Sequence, residues 1–130
     1  MIKVLITICS LMVISMLTAC NGGQSLLFTG ESNHWKGAYT TNAGGNNEDG
    51  TFTFTFNDGG KPTFKNLEVD VSGGNGHPVL KEDSHTGSTI KINESGSGIA
   101  TTKASTVFNV TIKWDNKYKE TFSLKSKKHN

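Results

Sequence analysis

Thr51-Phe52-Thr53-Phe54-Thr55-Phe56 decides the fold. Successive side chains of an extended chain point to opposite sides, so this run puts three phenylalanines on one face and three threonines on the other. That is a half-buried strand. The same period of two recurs along the chain. Leu67, Val69 and Val71 alternate with Glu68 and Asp70, and Ile90 and Ile92 flank Lys91. Phe108, Val110, Ile112 and Trp114 alternate with Asn109, Thr111 and Lys113, and Tyr118, Phe122 and Leu124 continue on even numbers. Trp35, Gly37 and Tyr39 mark an early strand, with weaker ones at 79–80 and 99–102. Glycine- and asparagine-rich runs at 43–50, 57–60, 72–76 and 95–98 supply the turns. No stretch after residue 20 carries a sustained 3.6-residue apolar stripe, so no substantial helix is expected there. The expected class is all-β: an antiparallel two-sheet sandwich of about seven strands, immunoglobulin-like.

Parity refines two joints. Paired strand residues share a face, so inward even positions on both sides of Asp115-Asn116-Lys117 require an odd loop. An odd loop around Asp115-Asn116-Lys117, or a bulge, sets Val110 opposite Phe122 or opposite Glu120, and Asn116 is the best local residue for the left-handed conformation. The inward set is even from Phe52 to Phe64 but odd from Leu67 to Val71, which places a bulge near Lys65-Asn66.

The N-terminus is of a different kind. After Lys3, residues 4–17 are apolar except for Thr7, Ser10 and Ser15, a run of 14. A membrane-spanning helix needs about 20, so this length is that of a signal peptide's apolar core. The run closes on Leu17-Thr18-Ala19-Cys20, which resembles the lipobox of a bacterial lipoprotein. That resemblance implies removal of a helical signal segment, residues 1–19, and a diacylglycerol on the sulfur of Cys20. Two acyl chains hold a protein on a bilayer where one is marginal. The expected organisation is the signal peptide, a lipidated cysteine and flexible tether at 20–28, the β-sandwich domain at 29–126, and a disordered tail at 127–130. The expected location is the extracytoplasmic face of the bacterial cell membrane, with the lipid bilayer as first partner through acylated Cys20.

Composition narrows the chemistry. Cys9 falls in the signal segment and Cys20 carries lipid, so no thiol remains for a disulfide, a zinc–thiolate site or a nucleophile. Loss of Lys3 takes the basic count from 13 to 12 against 11 acids, a net charge of +1. That balance argues against nucleic acid. Every basic residue is lysine, so bidentate guanidinium recognition of phosphate or carboxylate is absent. Lys125, Lys127 and Lys128 form a short basic tail that can meet anionic headgroups, though a solvated, frayed terminus is the favoured reading.

Other constellations are weak. Trp35 and Trp114 face inward and read as core before they read as a ligand platform. Glu31 and Ser32 precede the first strand and suit a turn or an edge. Asn46, Asn47, Glu48 and Asp49 carry oxygens in one loop, but lack the spacing and bidentate glutamate of a calcium loop. His77, His85 and Asp83 make an imaginable zinc set without the third histidine or cysteine such sites use. No glycine-flanked serine elbow supports a hydrolase. No catalytic, metal or cofactor site is therefore assigned; Cys20 is the single site residue.

Phe28-Thr29-Gly30-Glu31-Ser32-Asn33-His34-Trp35-Lys36-Gly37 and Val110-Thr111-Ile112-Lys113-Trp114-Asp115-Asn116-Lys117, with Glu120-Thr121-Phe122-Ser123-Leu124, bracket the domain. Together they resemble a group of small lipoproteins of low-GC Gram-positive bacteria. These share a lipobox, a Gly-Glu-Ser shortly before tryptophan, and a terminal Trp-turn-Lys hairpin. His34 stands where that pattern has asparagine. The resemblance covers about a third of the mature chain and implies a location and a fold type, but no activity, cofactor or catalytic residue.

The expected function is a non-enzymatic binding or interaction module at the cell surface, with loops 43–50, 57–61 and 72–77 as its contact surface and an envelope protein or polysaccharide as partner. A small solute- or metal-binding accessory lipoprotein is the alternative, and a wall-associated hydrolase the least favoured reading.

Overall fold

The computed structural model describes residues 24–44, 47–97 and 102–127. The expected signal peptide at 1–19, Cys20, and most of the strand expected at 99–102 lie outside the described residues. Eight strands follow in order: β1 (Gln24–Glu31), β2 (Trp35–Gly44), β3 (Asn47–Phe56), β4 (Thr63–Ser72), β5 (Val79–Thr86), β6 (Thr89–Ser97), β7 (Val107–Trp114) and β8 (Tyr118–Ser126). All pairings are antiparallel, and one hydrogen-bonded sheet runs β5-β4-β7-β8-β1-β2-β3-β6. Among the described residues, no helix is long and apolar enough to cross a membrane.

The all-β antiparallel class is as expected, whereas the two separate sheets of a seven-stranded sandwich are replaced by one eight-stranded sheet. The reason is a single strand. Residues 24–28, expected as tether, belong to β1, and Phe28 is wholly buried. Leu26-Leu27-Phe28 gave no alternation to read, because Leu27 is apolar yet 40% exposed. β1 joins β8 to β2. Without it the order divides into β5-β4-β7-β8 and β2-β3-β6, seven strands in two sheets. The joint is narrow: β1 meets β8 only at Phe28↔Ser126 and Thr29↔Lys125, against eight paired positions with β2. At the C-terminal end, Lys127, assigned to the tail, donates its N–H to the Leu27 carbonyl at 3.2 Å.

The sheet is rolled. β3 and β4 stand five places apart in the order, which in a flat sheet is roughly 24 Å. Yet the rings of Phe56 and Phe64 lie 5.2 Å apart. Trp35 of β2 reaches Phe64 of β4 at 5.2 Å, and Phe52 of β3 meets Phe108 of β7 at 5.3 Å. Aromatic side chains from opposite walls thus fill a common interior, joined by Val69, Val71, Ile90, Val110, Ile112 and Leu124. The threonine face of β3 turns outward. Trp35 is fully buried and its Nε1–H finds no acceptor among the described residues. An orphaned buried donor costs about 1–3 kcal/mol, which the surrounding aromatic contacts must offset.

The odd hairpin loop corresponds to an observed joint; the expected bulge does not, because β4 and β5 keep one register from Thr63↔Thr86 through Asp70↔Val79 and change face together. β7 and β8 pair Trp114 with Tyr118 and Val110 with Phe122 across a three-residue loop. Asp115 and Asn116 are both left-handed there, at φ 57° and 54°. Asn66 is left-handed at φ 49°, Lys65 and Asn66 are both exposed, and alternation flips across them. This face change receives the hairpin tip: Asp115 N–H donates to the Lys65 carbonyl at 2.7 Å, and Lys65 N–H to Asp115 Oδ1 at 2.8 Å. Tyr118, expected inward, is 44% exposed and stacks on the Trp114 ring at 5.2 Å.

Rolling brings the sheet's two edges together at one end only. β5 and β6 are joined by Gly87 and Ser88, with Gly87 at φ 116° where a side chain would be strained. Gly87 N–H bonds the Pro62 carbonyl, and Phe56 N–H bonds the Ser88 carbonyl. From that corner the two strands separate without pairing to each other.

Candidate functional site

The antiparallel registers sort the links into two ends. Glu31↔Lys36, Trp35↔Phe56 and Trp114↔Tyr118 place the links at 32–34, 57–62, 87–88 and 115–117 at one end. Gln24↔Ala43 and Gly44↔Asn47 place the start of β1, the β2–β3 turn and the 73–78 link at the other, together with the end of β8. The three loops expected to form one contact surface are therefore divided. Residues 57–61 lie at the first end and 73–77 at the second. Most of 43–50 is not loop at all but the paired ends of β2 and β3.

Where β5 and β6 stand apart at the second end, a recess of about 80 Å³ opens into the interior. Tyr39, Glu48, Phe52, Glu94, Thr102 and Phe108 line it, with the 73–78 link at its rim. The local sequence explains its shape. Gly50 presents no side chain inward, and the Tyr39 ring lies across the vacated position, stacked on Phe52 at 4.0 Å. Glu48 occupies an inward position of β3 and is 9% exposed. Its carboxylate is fully engaged: Oε1 accepts from Thr41 Oγ1 at 2.7 Å, and Oε2 from the Thr102 N–H at 2.8 Å. Burial pushes the Glu48 carboxyl up, but the bonds from Thr102 and Thr41 outweigh it and hold it below the ordinary carboxylate value. Burial, then the negative charges of Glu48 and Glu94, push the Tyr39 phenol above its ordinary value, against bonds with Thr41 and Thr102. The recess thus presents an ionised carboxylate, a second carboxylate and a neutral phenol among aromatic rings. A carboxylate held ionised by two donors is a weak base, so this arrangement receives a hydrogen-bond donor or a cation better than it removes a proton.

A second polar cluster sits at the opposite end. Glu120 of β8 is 16% exposed and accepts three bonds from the β1–β2 link. Ser32 Oγ donates at 2.6 Å, His34 N–H at 2.8 Å, and His34 Nδ1 lies 2.5 Å from the other oxygen. Burial raises the Glu120 carboxyl, and the bonds from Ser32 and His34 overcome this to leave it below the ordinary value. The His34 ring stacks on Phe56 at 5.9 Å and meets Trp114 edge-on at 6.2 Å. Serine, histidine and glutamate converge here, but the hydroxyl donates to the carboxylate and not to the imidazole. The geometry clamps the link; it does not activate the serine. Sequence reading placed Ser32 at a turn or edge but missed Glu120, its partner 88 positions away.

The remaining candidates are dispersed. His77 Nε2 pairs with Asp70 at 2.8 Å, and His85 Nδ1 with Glu82 at 2.7 Å. His77 precedes β5 and His85 lies near its far end, roughly 25 Å away at strand rise, so they cannot share a metal with Asp83. Glu48 and Asp49 point to opposite faces of β3, which separates the oxygens of the imagined calcium loop. Among the described residues, no three histidine, cysteine, aspartate or glutamate side chains gather as a metal site. No protein-family model, curated protein or solved structure matches this chain.

Proposed function

We propose that this chain is an extracytoplasmic lipoprotein anchored through Cys20, and that its β domain is a non-enzymatic interaction module. It meets its partner at the divergence of β5 and β6. The supporting observation is that, among the described residues, each of these strands has a single strand partner and so offers a free edge beside the acidic, aromatic recess. An exposed edge is a template for a further strand, with main-chain bonds giving affinity and adjacent pockets giving selectivity. The two edges are not equal. β5 carries exposed Lys81 and Asp83, charges that discourage pairing, whereas β6 from Asn93 to Ser95 borders the recess and carries its one charge, Glu94, in the recess lining. The recess volume favours this reading over a free solute. About 80 Å³ is well short of the roughly 300 Å³ of ordinary organic-ligand sites, but accepts the end of one donor side chain.

Two measurements test the reading. Intact mass of the native protein should show a chain starting at Cys20 with an acyl adduct; a chain starting at Met1 or lacking the adduct overturns the anchor. Photo-crosslinking groups placed at Ser95 and Asp83 should capture one recurring envelope protein or polysaccharide. The same groups at Asn109 and Thr121, on the outer face of β7 and β8, should not. Equal yields from both walls overturn the assignment of the partner surface.

A further inference from the structure

The route from Cys20 into the fold is short. Three residues separate Cys20 from Gln24, where β1 begins, so the Cα of Cys20 can stand at most about 14 Å from the start of the rolled sheet. The tether expected at 20–28 is shorter than supposed, and an anchor at Cys20 would hold the start of β1 close to the headgroups.

That end carries a particular surface on its β7–β8–β1 side. Three of the four large hydrophobic side chains exposed on the described surface belong to this end: Leu27, Val79 and Val107, at 40%, 47% and 39%. Leu27 and Val107 fall on the β7–β8–β1 wall, among Lys103, Lys125 and Lys127, all exposed. The backbone binds the group together. Val107 is the register partner of Lys125, Lys127 N–H donates to the Leu27 carbonyl, and Ser126 Oγ donates to the Ala104 carbonyl at 2.7 Å. Thr106 N–H closes the turn onto the Lys103 carbonyl at 2.9 Å. Among the described residues, none of these lysines forms an ion pair. The acids of this end sit elsewhere: Glu48 and Glu94 in the recess, Asp49 on the outer face of β3, and Asp70 beside His77.

We infer that this wall, Leu27 and Val107 framed by Lys103, Lys125 and Lys127, is a second membrane contact that seats on anionic lipid headgroups. The inference rests on the Cys20 anchor. Apolar side chains at headgroup depth with lysines around them make an interfacial surface, and the anionic leaflet supplies the countercharge. One consequence concerns the partner surface. β8 and β1 occupy the middle of the sheet order and β5 and β6 its two ends, so in the rolled sheet the basic wall lies across from the β5–β6 opening. Seating the basic wall turns the acidic recess away from the lipid and toward the aqueous space. A single flexible tether would leave that orientation undefined.

The test is lysine footprinting of the full acylated protein on vesicles. One vesicle set is phosphatidylcholine alone, and the other contains phosphatidylglycerol at a third of the lipid. With anionic lipid, amine modification at Lys103, Lys125 and Lys127 should slow at least fivefold relative to Lys61 and Lys91, and 1 M salt should remove the difference. Each lysine near such a surface is worth about a fivefold change in partitioning, so K103Q, K125Q and K127Q together should weaken this contact about a hundredfold. In that triple variant a reporter at Ser25 should lose its anionic-lipid-dependent shielding while the acyl adduct remains. If the adduct is absent by mass, the anchor and this inference fall together. If the adduct is present and all lysines react alike on both vesicle sets, the inference alone is overturned.

Discussion

A methyl group on Gly50 would stand 2.1 Å from the Tyr39 hydroxyl oxygen and 2.4 Å from its ring. The ring is wedged between Phe52 and Phe108 and cannot swing clear. Gly50→Ala should therefore cost about 1–3 kcal/mol by overpacking, read as a lower urea midpoint. Glu120 makes a complementary case at the other end. Its three donors are satisfied only by a carboxylate, since an amide turns a donor of its own toward them. Glu120→Gln should cost about 2 kcal/mol at pH 7. The pH dependence has a definite sign. Glu48 and Glu120 ionise below the ordinary value of 4.5 in the fold. Their stabilisation is complete above that unfolded value and is lost as pH falls through the lower folded values. Thermal midpoints should drop on acidification below about pH 4.5, and the Glu120→Gln profile should be flatter there. An equally steep profile would show that Glu120 does not carry the effect. Neither carboxylate was legible as a site. Glu48 sits in a polar run that reads as loop, and Glu120 is one charged residue among alternating strand positions. Each acquires its role from residues far along the chain.

The strands themselves were legible because alternation is local. Phe52 to Phe56 and Phe108 to Trp114 announce their buried faces with no knowledge of their neighbours. Parity alone narrowed the β7–β8 hairpin to two registers, one of which is observed, and its tip can be tested. Asp115 and Asn116 both hold a left-handed backbone that costs an ordinary side chain about 1–2 kcal/mol. Asn116→Ala should lose about 1 kcal/mol. Asp115→Ala should lose about 1 kcal/mol more, because its carboxylate also caps the Lys65 N–H of β4. Equal losses in thermal melts would mean that this docking contributes nothing. β5 was legible only at its first two residues, because an edge strand with one partner buries little of either face. β1 was not legible, and the error propagated: sheet count depends on which strand bridges which, and that is a long-range property no window of residues contains.

Over the whole molecule, protection should follow position in the sheet. β7, β8 and β2 are flanked on both sides, while β5 and β6 have one partner each. Native-state hydrogen exchange should be slowest in β7 and β2 and fastest in β5, with the far half of β6 also fast. Uniform protection would contradict an open β5–β6 side. The juxtaposition of Leu27 with Lys127 has an engineering consequence. Chain entry and exit leave the barrel as neighbours, so a few glycines could splice residue 127 to residue 24. New ends could then be cut within 57–60, where Gly59 and Gly60 face open space. Such a permutant should keep every rung of the ladder while presenting its severed loop at the end of the rolled sheet opposite the start of β1. A fused reporter would hang there, clear of the recess, whereas a C-terminal tag would leave the chain beside the recess's own end.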